Sequence, residues 1–232
     1  MSNLPVAIIT GASSGIGRAA AIQFAAINHH VVLAARTESN LNQTADQIPP
    51  DAVTVFPADL SDPHACDALI AHVTQHLGRL DVLANVAGYA ALNAIADTPN
   101  DMWRTTLEVN LSSAWYLTRA AWPLLSQRRG IIINISSVAA KDPFPGLAAY
   151  AVAKAGLNML TRVSAREGEP HHIRAVGIGP GAVETPMLRG LFSTDDLPQS
   201  QTLDPNDIAT AMRDLVTGDR PFTSGDTIYI TP

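Results

Sequence analysis

The segment VAIITGASSGIGRAAAIQF, from Val6 to Phe24, sets a short β-branched run, a glycine cluster and a helical pattern in direct succession. That succession is the layout of a dinucleotide site. Gly11 would permit the sharp turn out of the strand, Gly15 would let the backbone approach a pyrophosphate, and Gly17 would let the next helix pack closely on the sheet. Ser13, Ser14 and Ile16 complete the loop. The helix start behind it offers unpaired N–H groups and the positive end of a dipole to an anion.

The remainder of the chain repeats the same alternation. Strands are expected near residues 5–10, 30–35, 52–57, 80–85, 130–136, 172–178 and 226–230, with helical periodicity between most of them. Continuous apolar runs such as IIINI suit strands buried on both faces of a parallel sheet. The expected fold is α/β: a three-layer, doubly wound, Rossmann-like parallel sheet of about seven strands. Its 232 residues, 47% of them hydrophobic, can bury one large core, so residues 1–232 are expected to form one domain. One helix is legible in detail. Asp62 is placed to cap, Pro63 to fill the first turn and Gly78 to follow the end, while Cys66, Leu69, Ile70, Val73 and Leu77 form one apolar stripe.

Tyr150 and Lys154 lie four residues apart in the helical stretch AAYAVAKAGLNML, and Ser137 ends the strand-like run before it. Positions i and i+4 share a helix face, so a phenol and an ammonium would line one pocket wall. The cation is expected to lower the phenol pKa and make it a proton donor and acceptor near neutral pH. Asn110, a poor helix former inside WRTTLEVNLSSAWYLTRAA, predicts a local kink.

With these motifs in order, the chain resembles a compact, single-domain short-chain dehydrogenase/reductase, from Val6 to about Ile230. The resemblance rests on the TGASSGIG loop, Asp59-Leu60, Asn85-Val86-Ala87-Gly88, Asn110, the Ser137, Tyr150 and Lys154 set, and Pro180-Gly181 with Val183 and Thr185. It implies an adenine contact at Asp59 and Leu60, a cofactor contact at Asn85, Ala87 and Gly88, and a nicotinamide-side loop from Pro180 to Thr185. It also implies that Tyr150 transfers the proton, Ser137 orients the substrate oxygen, Lys154 holds the ribose and tunes Tyr150, and Asn110 positions a relay water. Val86 departs from the family pattern, which commonly has a second asparagine there, and so does the C-terminal SGDTIYITP.

Cofactor choice turns on Ala34-Ala35-Arg36-Thr37 at the end of the second strand. An NAD site carries an acid there, roughly twenty residues beyond the glycine loop. Arg36 instead offers a planar cation for a 2'-phosphate, with Thr37 as a second donor, so NADP is expected, with NAD as the alternative. An Arg36–Glu38 ion pair is the competing role for that cation.

The substrate is expected to be a small or medium carbonyl compound or alcohol, with Tyr89, Phe144, Leu147, Met187, Leu188, Leu191 and Phe192 as candidate lining and a short substrate loop near 187–203. The reaction is expected to be hydride transfer; a non-catalytic cofactor-binding regulator is the rival reading. A net charge of −6 without long like-charge blocks argues against nucleic acid. No signal peptide or membrane span is expected, and with the single Cys66 this predicts a cytoplasmic protein. His72 and His76 share a helix face but lack an HExxH glutamate, so no metal is expected; His29-His30 and His171-His172 are expected at the surface. Two apolar helical segments, residues 101–128 and 149–167, predict a homodimer or homotetramer.

Overall fold

The structure is a computed structural model that describes residues 4–232; the first three residues of the expected 1–232 domain lie outside the described residues. Its strands are Val6–Thr10 (β1), His30–Ala35 (β2), Val53–Pro57 (β3), Val82–Asn85 (β4), Ile131–Ile135 (β5), Arg174–Pro180 (β6) and Thr227–Ile230 (β7). The helices are Gly15–Ala26 (α1), Glu38–Ala45 (α2), Pro63–His76 (α3), Asn100–Leu107 (α4), Ser113–Arg128 (α5), Ala148–Gly168 (α6), Pro186–Arg189 (α7) and Pro205–Thr217 (α8). The strands pair in the order β3-β2-β1-β4-β5-β6-β7, parallel throughout. This is the Rossmann-like doubly wound sheet, with the order reversing at β1.

Side-chain alternation along each strand feeds two cores. Ile9, Leu33 and Ile133 point to one face, where Phe24 of α1, Leu41 of α2 and Met212 of α8 cover them. Ile8, Val32 and Ile132 point to the other, against Leu69 of α3 and Leu117 of α5. Asn134 breaks the apolar run of β5 and is fully buried, yet satisfied. Its Oδ1 accepts from Asn85 Nδ2 of β4 at 2.8 Å, and its Nδ2 donates to Thr161 Oγ1 of α6 at 2.8 Å. These bonds pin α6 to the middle of the sheet.

The segment expected as one helix over residues 101–128 contains a π-helical turn, Glu108–Ser112, between α4 and α5. Asn110 lies at its centre, so the kink falls where a poor helix former predicted it. Its Nδ2 donates to Thr106 O at 2.9 Å and to Tyr89 O at 2.7 Å. The apolar stripe of α3 is buried as expected, and Cys66 donates to Leu60 O at 3.3 Å. Burial pushes that thiol up to about 12, which leaves it inert.

The histidine pairs divide. His171 and His172 are exposed, whereas His29 and His30 are buried, against expectation. His30 is the first residue of β2, and its Nε2 meets Thr54 Oγ1 at 2.8 Å; His29 packs edge-on to Phe24, with ring centroids 5.6 Å apart. A ring with one apolar and one polar side can close the bottom of the sheet, which sequence position alone does not reveal. His72 stacks on His76 at 4.2 Å, and among the described residues no group of three or more His, Cys, Asp or Glu could hold a metal ion. No helix among the described residues is long and apolar enough to cross a membrane.

Asp62 caps α3 by accepting from His64 N at 2.9 Å. Asp62→Ala is expected to cost about 1 kcal/mol of stability. The check is urea unfolding: a lower midpoint at unchanged slope is expected, and an unchanged midpoint would show that the cap contributes nothing.

Candidate active site

Because every strand runs the same way, the loops after β1, β2, β3, β4, β5 and β6 open on one edge of the sheet. There they line a single cleft of about 560 Å³. One end holds Arg36, Thr37, Asp59 and Leu60, the middle holds the glycine loop with Ala87 and Gly88, and the other end holds Ser137, Tyr150, Lys154 and the segment from Pro180 onward.

The glycine loop is close-packed and leaves its centre open. Gly11 has φ +65°, and a Cβ there would lie 3.0 Å from the backbone of Ala87. Gly15 has φ +49°, and a Cβ there would come within 2.8 Å of the Thr185 methyl. Larger residues at either position would be strained and would fill the cradle. Gly17 abuts the Gly11 carbonyl, so it packs α1 against the loop rather than against the sheet. Ser14 is the N-cap of α1 but makes no side-chain capping bond, which leaves the first N–H groups facing the cleft. This cradle fits a pyrophosphate in both shape and charge.

At the β2 end, Arg36 is exposed and takes part in none of the salt bridges among the described residues, so the expected competition from Glu38 is not formed. The Asp59 carboxyl is held below its usual range, chiefly by the Ser61 hydroxyl at 2.8 Å and more weakly by the charge of Arg36. Thr37 starts α2 without using its side chain as a cap, so its hydroxyl is not spent on the helix.

At the other end, Ser137 closes β5 and starts a 3-10 turn, its Oγ accepting from Ala139 N at 3.1 Å. Lys154 is 2% exposed, donates from Nζ to Ile135 O at 2.8 Å, and sits 5.6 Å from the centre of the Tyr150 ring. Burial pulls the lysine down to about 7. Burial also pushes the Tyr150 phenol up to about 12, with the Ser137 hydroxyl working against the rise. The expected lowering of the phenol is therefore not what the protein groups produce. Desolvation is the largest cause on each group, and Lys154 Nζ is spent on a carbonyl at the end of β5.

Two residues singled out from sequence stand behind the cleft rather than in it. Asn85 is buried in the sheet on Asn134. Asn110 grips both sides of the Tyr89 peptide, accepting from Tyr89 N at 3.3 Å and donating to Tyr89 O. A Cβ at Gly88 would be 3.2 Å from Asn110 Oδ1 and 3.9 Å from Lys154 Nζ, so only a glycine separates the two side chains. Of the candidate substrate lining, Phe144, Leu147, Met187, Leu188, Leu191 and Phe192 face the cleft. Tyr89 does not; Ala90 takes that place because the backbone of Tyr89 is held by Asn110.

Three supports escaped the sequence reading. Thr10 Oγ1 accepts from Val86 N at 2.8 Å and Ala87 N at 2.9 Å, joining the glycine loop to the exit of β4. Arg18 donates to Ser13 O at 2.6 Å and to Thr44 Oγ1 at 3.1 Å, and Thr44 in turn donates to Ala12 O. Arg189 grips the Glu184 carboxylate, with Nε 2.7 Å from Oε1, and also donates to Leu197 O at 2.8 Å and Ser193 O at 3.1 Å. The first two join segments far apart in sequence and the third is a contact within one loop; periodicity carries no signal for either kind.

Comparison with known proteins agrees with this geometry. Residues 5–196 match the short chain dehydrogenase family, and the protein belongs to it. Its members are nicotinamide-dependent oxidoreductases, and the cradle fits that cofactor. An uncharacterized oxidoreductase of Staphylococcus epidermidis is 33% identical over 208 residues, 89% of this chain and 88% of its own. One of Staphylococcus aureus matches at the same identity and coverage. Among solved structures, the 3-ketoacyl-(acyl-carrier-protein) reductase of Brucella melitensis complexed with NADH superposes with TM-score 0.90 at 28% identity, covering 98% of this chain and 96% of that one.

Proposed function

We propose that this oxidoreductase interconverts a carbonyl and an alcohol on a small or medium organic molecule, with Tyr150 as the general acid and base and NADP as the preferred cofactor. The observation that carries the reading is the convergence of Ser137, Tyr150 and Lys154 on one wall of the cleft that also holds the glycine cradle. A bound nicotinamide would supply or accept the hydride.

The chain's own residues do the rest. A phenol at about 12 is protonated near neutral pH, so the resting side chain is the proton donor that carbonyl reduction requires. Ser137 holds the reacting oxygen against the phenol. Lys154, brought down to about 7, is poised to change charge near neutrality, and its protonated form favours the phenolate that alcohol oxidation requires. Asn110 acts by fixing Tyr89 and the wall of Gly88 beside that ammonium. The cofactor would rest on Gly11, Ser13, Ser14, Gly15, Ile16 and Gly17, with Asp59 and Leu60 at the adenine and Pro180 to Thr185 at the nicotinamide. We read residues 1–232 as one domain with a short substrate loop near 187–203, acting in the cytoplasm.

Tyr150→Phe removes only the hydroxyl. Turnover is expected to fall at least about 10²-fold with little change in cofactor affinity; near-normal turnover would sink the mechanism.

The NADP preference rests on an exposed Arg36 that forms no salt bridge among the described residues, beside an exposed Thr37. A planar guanidinium suits a 2'-phosphate. Arg36→Ala is therefore expected to weaken NADP far more than NAD in a fluorescence titration, and equal losses would overturn the assignment.

Assembly into a homodimer or homotetramer is supported by the outer faces of α5 and α6. Trp115 is 50% exposed, Val152 50% and Met159 53%, an apolar face that water disfavours. Light scattering at micromolar concentration is expected to exceed the 24.5 kDa of one chain; a monomer would refute the proposal.

A further inference from the structure

The carbonyl end of the cleft has a distinctive wall. Val138, Phe144 and Leu147 form one side, and Met187, Leu188, Leu191, Phe192 and Leu197 form the other. Among the described residues, the only charged side chains lining that end are Lys154 and Asp196. Lys154 is buried, and its Nζ is engaged with Ile135 O. Asp196 is exposed at the rim, and its carboxylate accepts from Ser193 Oγ at 2.6 Å.

The second side of the wall is already built in the structure. The Arg189 guanidinium ties Glu184 to the carbonyls of Phe192, Ser193 and Leu197, so one side chain gathers the whole segment. Glu184 also accepts from Thr202 Oγ1 at 3.2 Å, and Leu203 N donates to Ala182 O at 2.8 Å, which closes the base of the loop. Three loop carbonyls drawn to one ion pair leave the apolar side chains facing inward without a binding event to arrange them.

We propose that this end of the cleft selects neutral, apolar carbonyl compounds and rejects those carrying a carboxylate or phosphate beside the reacting carbon. The inference rests on the reading of the cleft as a carbonyl site and names its substrate class. An ionised group entering this wall loses its hydration and meets no unpaired cation in exchange. The rim carboxylate, held below its usual range by the Ser193 hydroxyl, adds repulsion. That repulsion is the smaller effect, because Asp196 is solvated and screened by salt. The apolar wall is the larger one, and it acts on every anion alike.

The test uses two ligands of matched shape, 1-phenylpropane-1,2-dione and the benzoylformate anion, which differ by a methyl in place of a charged oxygen. Binding is measured by calorimetry on the wild-type protein without nucleotide, so that neither turnover nor the positive charge of an oxidised nicotinamide ring interferes. Reduction of both is then followed with the reduced nucleotide. The neutral diketone is expected to bind at least about tenfold more tightly and to have the larger kcat/KM. Equal binding, or preference for the anion, overturns the substrate class while leaving the carbonyl reaction intact. Preferential binding of the diketone without reduction of any carbonyl supports the apolar selection and overturns the proposed reaction instead. Failure of both ligands to bind at millimolar concentration overturns the inference.

Discussion

Two parallel strands cannot be joined by a tight turn, and this constraint organises the protein. Each of the parallel pairs from β1 to β7 needs a crossover that returns the chain to the opposite edge, and helices on both faces supply it. All strand ends therefore open on the same side. Residues as distant in sequence as Gly11, Asp59, Ser137 and Thr185 come to line one cleft because the sheet has only one such edge. The reversal of strand order at β1 leaves the gap between its two neighbouring crossovers where the glycine loop lies.

Within that frame, polar bonds buried in the sheet decide where the reactive helix stands. Asn85, Asn134 and Thr161 run from β4 through β5 to α6, and Lys154 adds a bond from α6 to the last carbonyl of β5. Apolar packing alone would allow α6 to slide along the sheet, whereas a mispaired buried amide is costly. The same burial that fixes Lys154 sets its electrostatics. An ammonium with one carbonyl partner and little water loses its proton readily, and the neighbouring phenol holds its own tightly. The site is thus defined by low polarity as much as by the identity of its groups.

The far wall follows a different logic. It belongs to the segment beyond β6, which lies outside the seven strands and is held at its base by a parallel bridge between Val183 and Leu203. Arg189 and Glu184 add to that support, about a fifth to a quarter exposed at 21% and 27%. An isolated surface ion pair contributes little. This one also satisfies the loop carbonyls of Phe192, Ser193 and Leu197, so it reinforces the backbone bonds that already shape the segment.

The sequence by itself determined the regular part of this protein. Seven strands appear within a few residues of their expected positions, because apolar runs between helical periods have few other ways to be buried. The glycine loop and the i, i+4 spacing of Tyr150 and Lys154 were legible for the same reason, since local geometry follows from local chemistry. Even the π turn at Asn110 was announced by a residue that fits a helix poorly. Tertiary structure decided what depends on neighbours from elsewhere in the chain. It buried His29 and His30, turned Tyr89 away from the cleft, moved Asn85 and Asn110 behind it, and joined Thr10 to Val86 and Ala87. It also reversed the expected direction of the Tyr150 pKa. Spacing tells which groups meet, but the cost of removing them from water is set by everything packed around them.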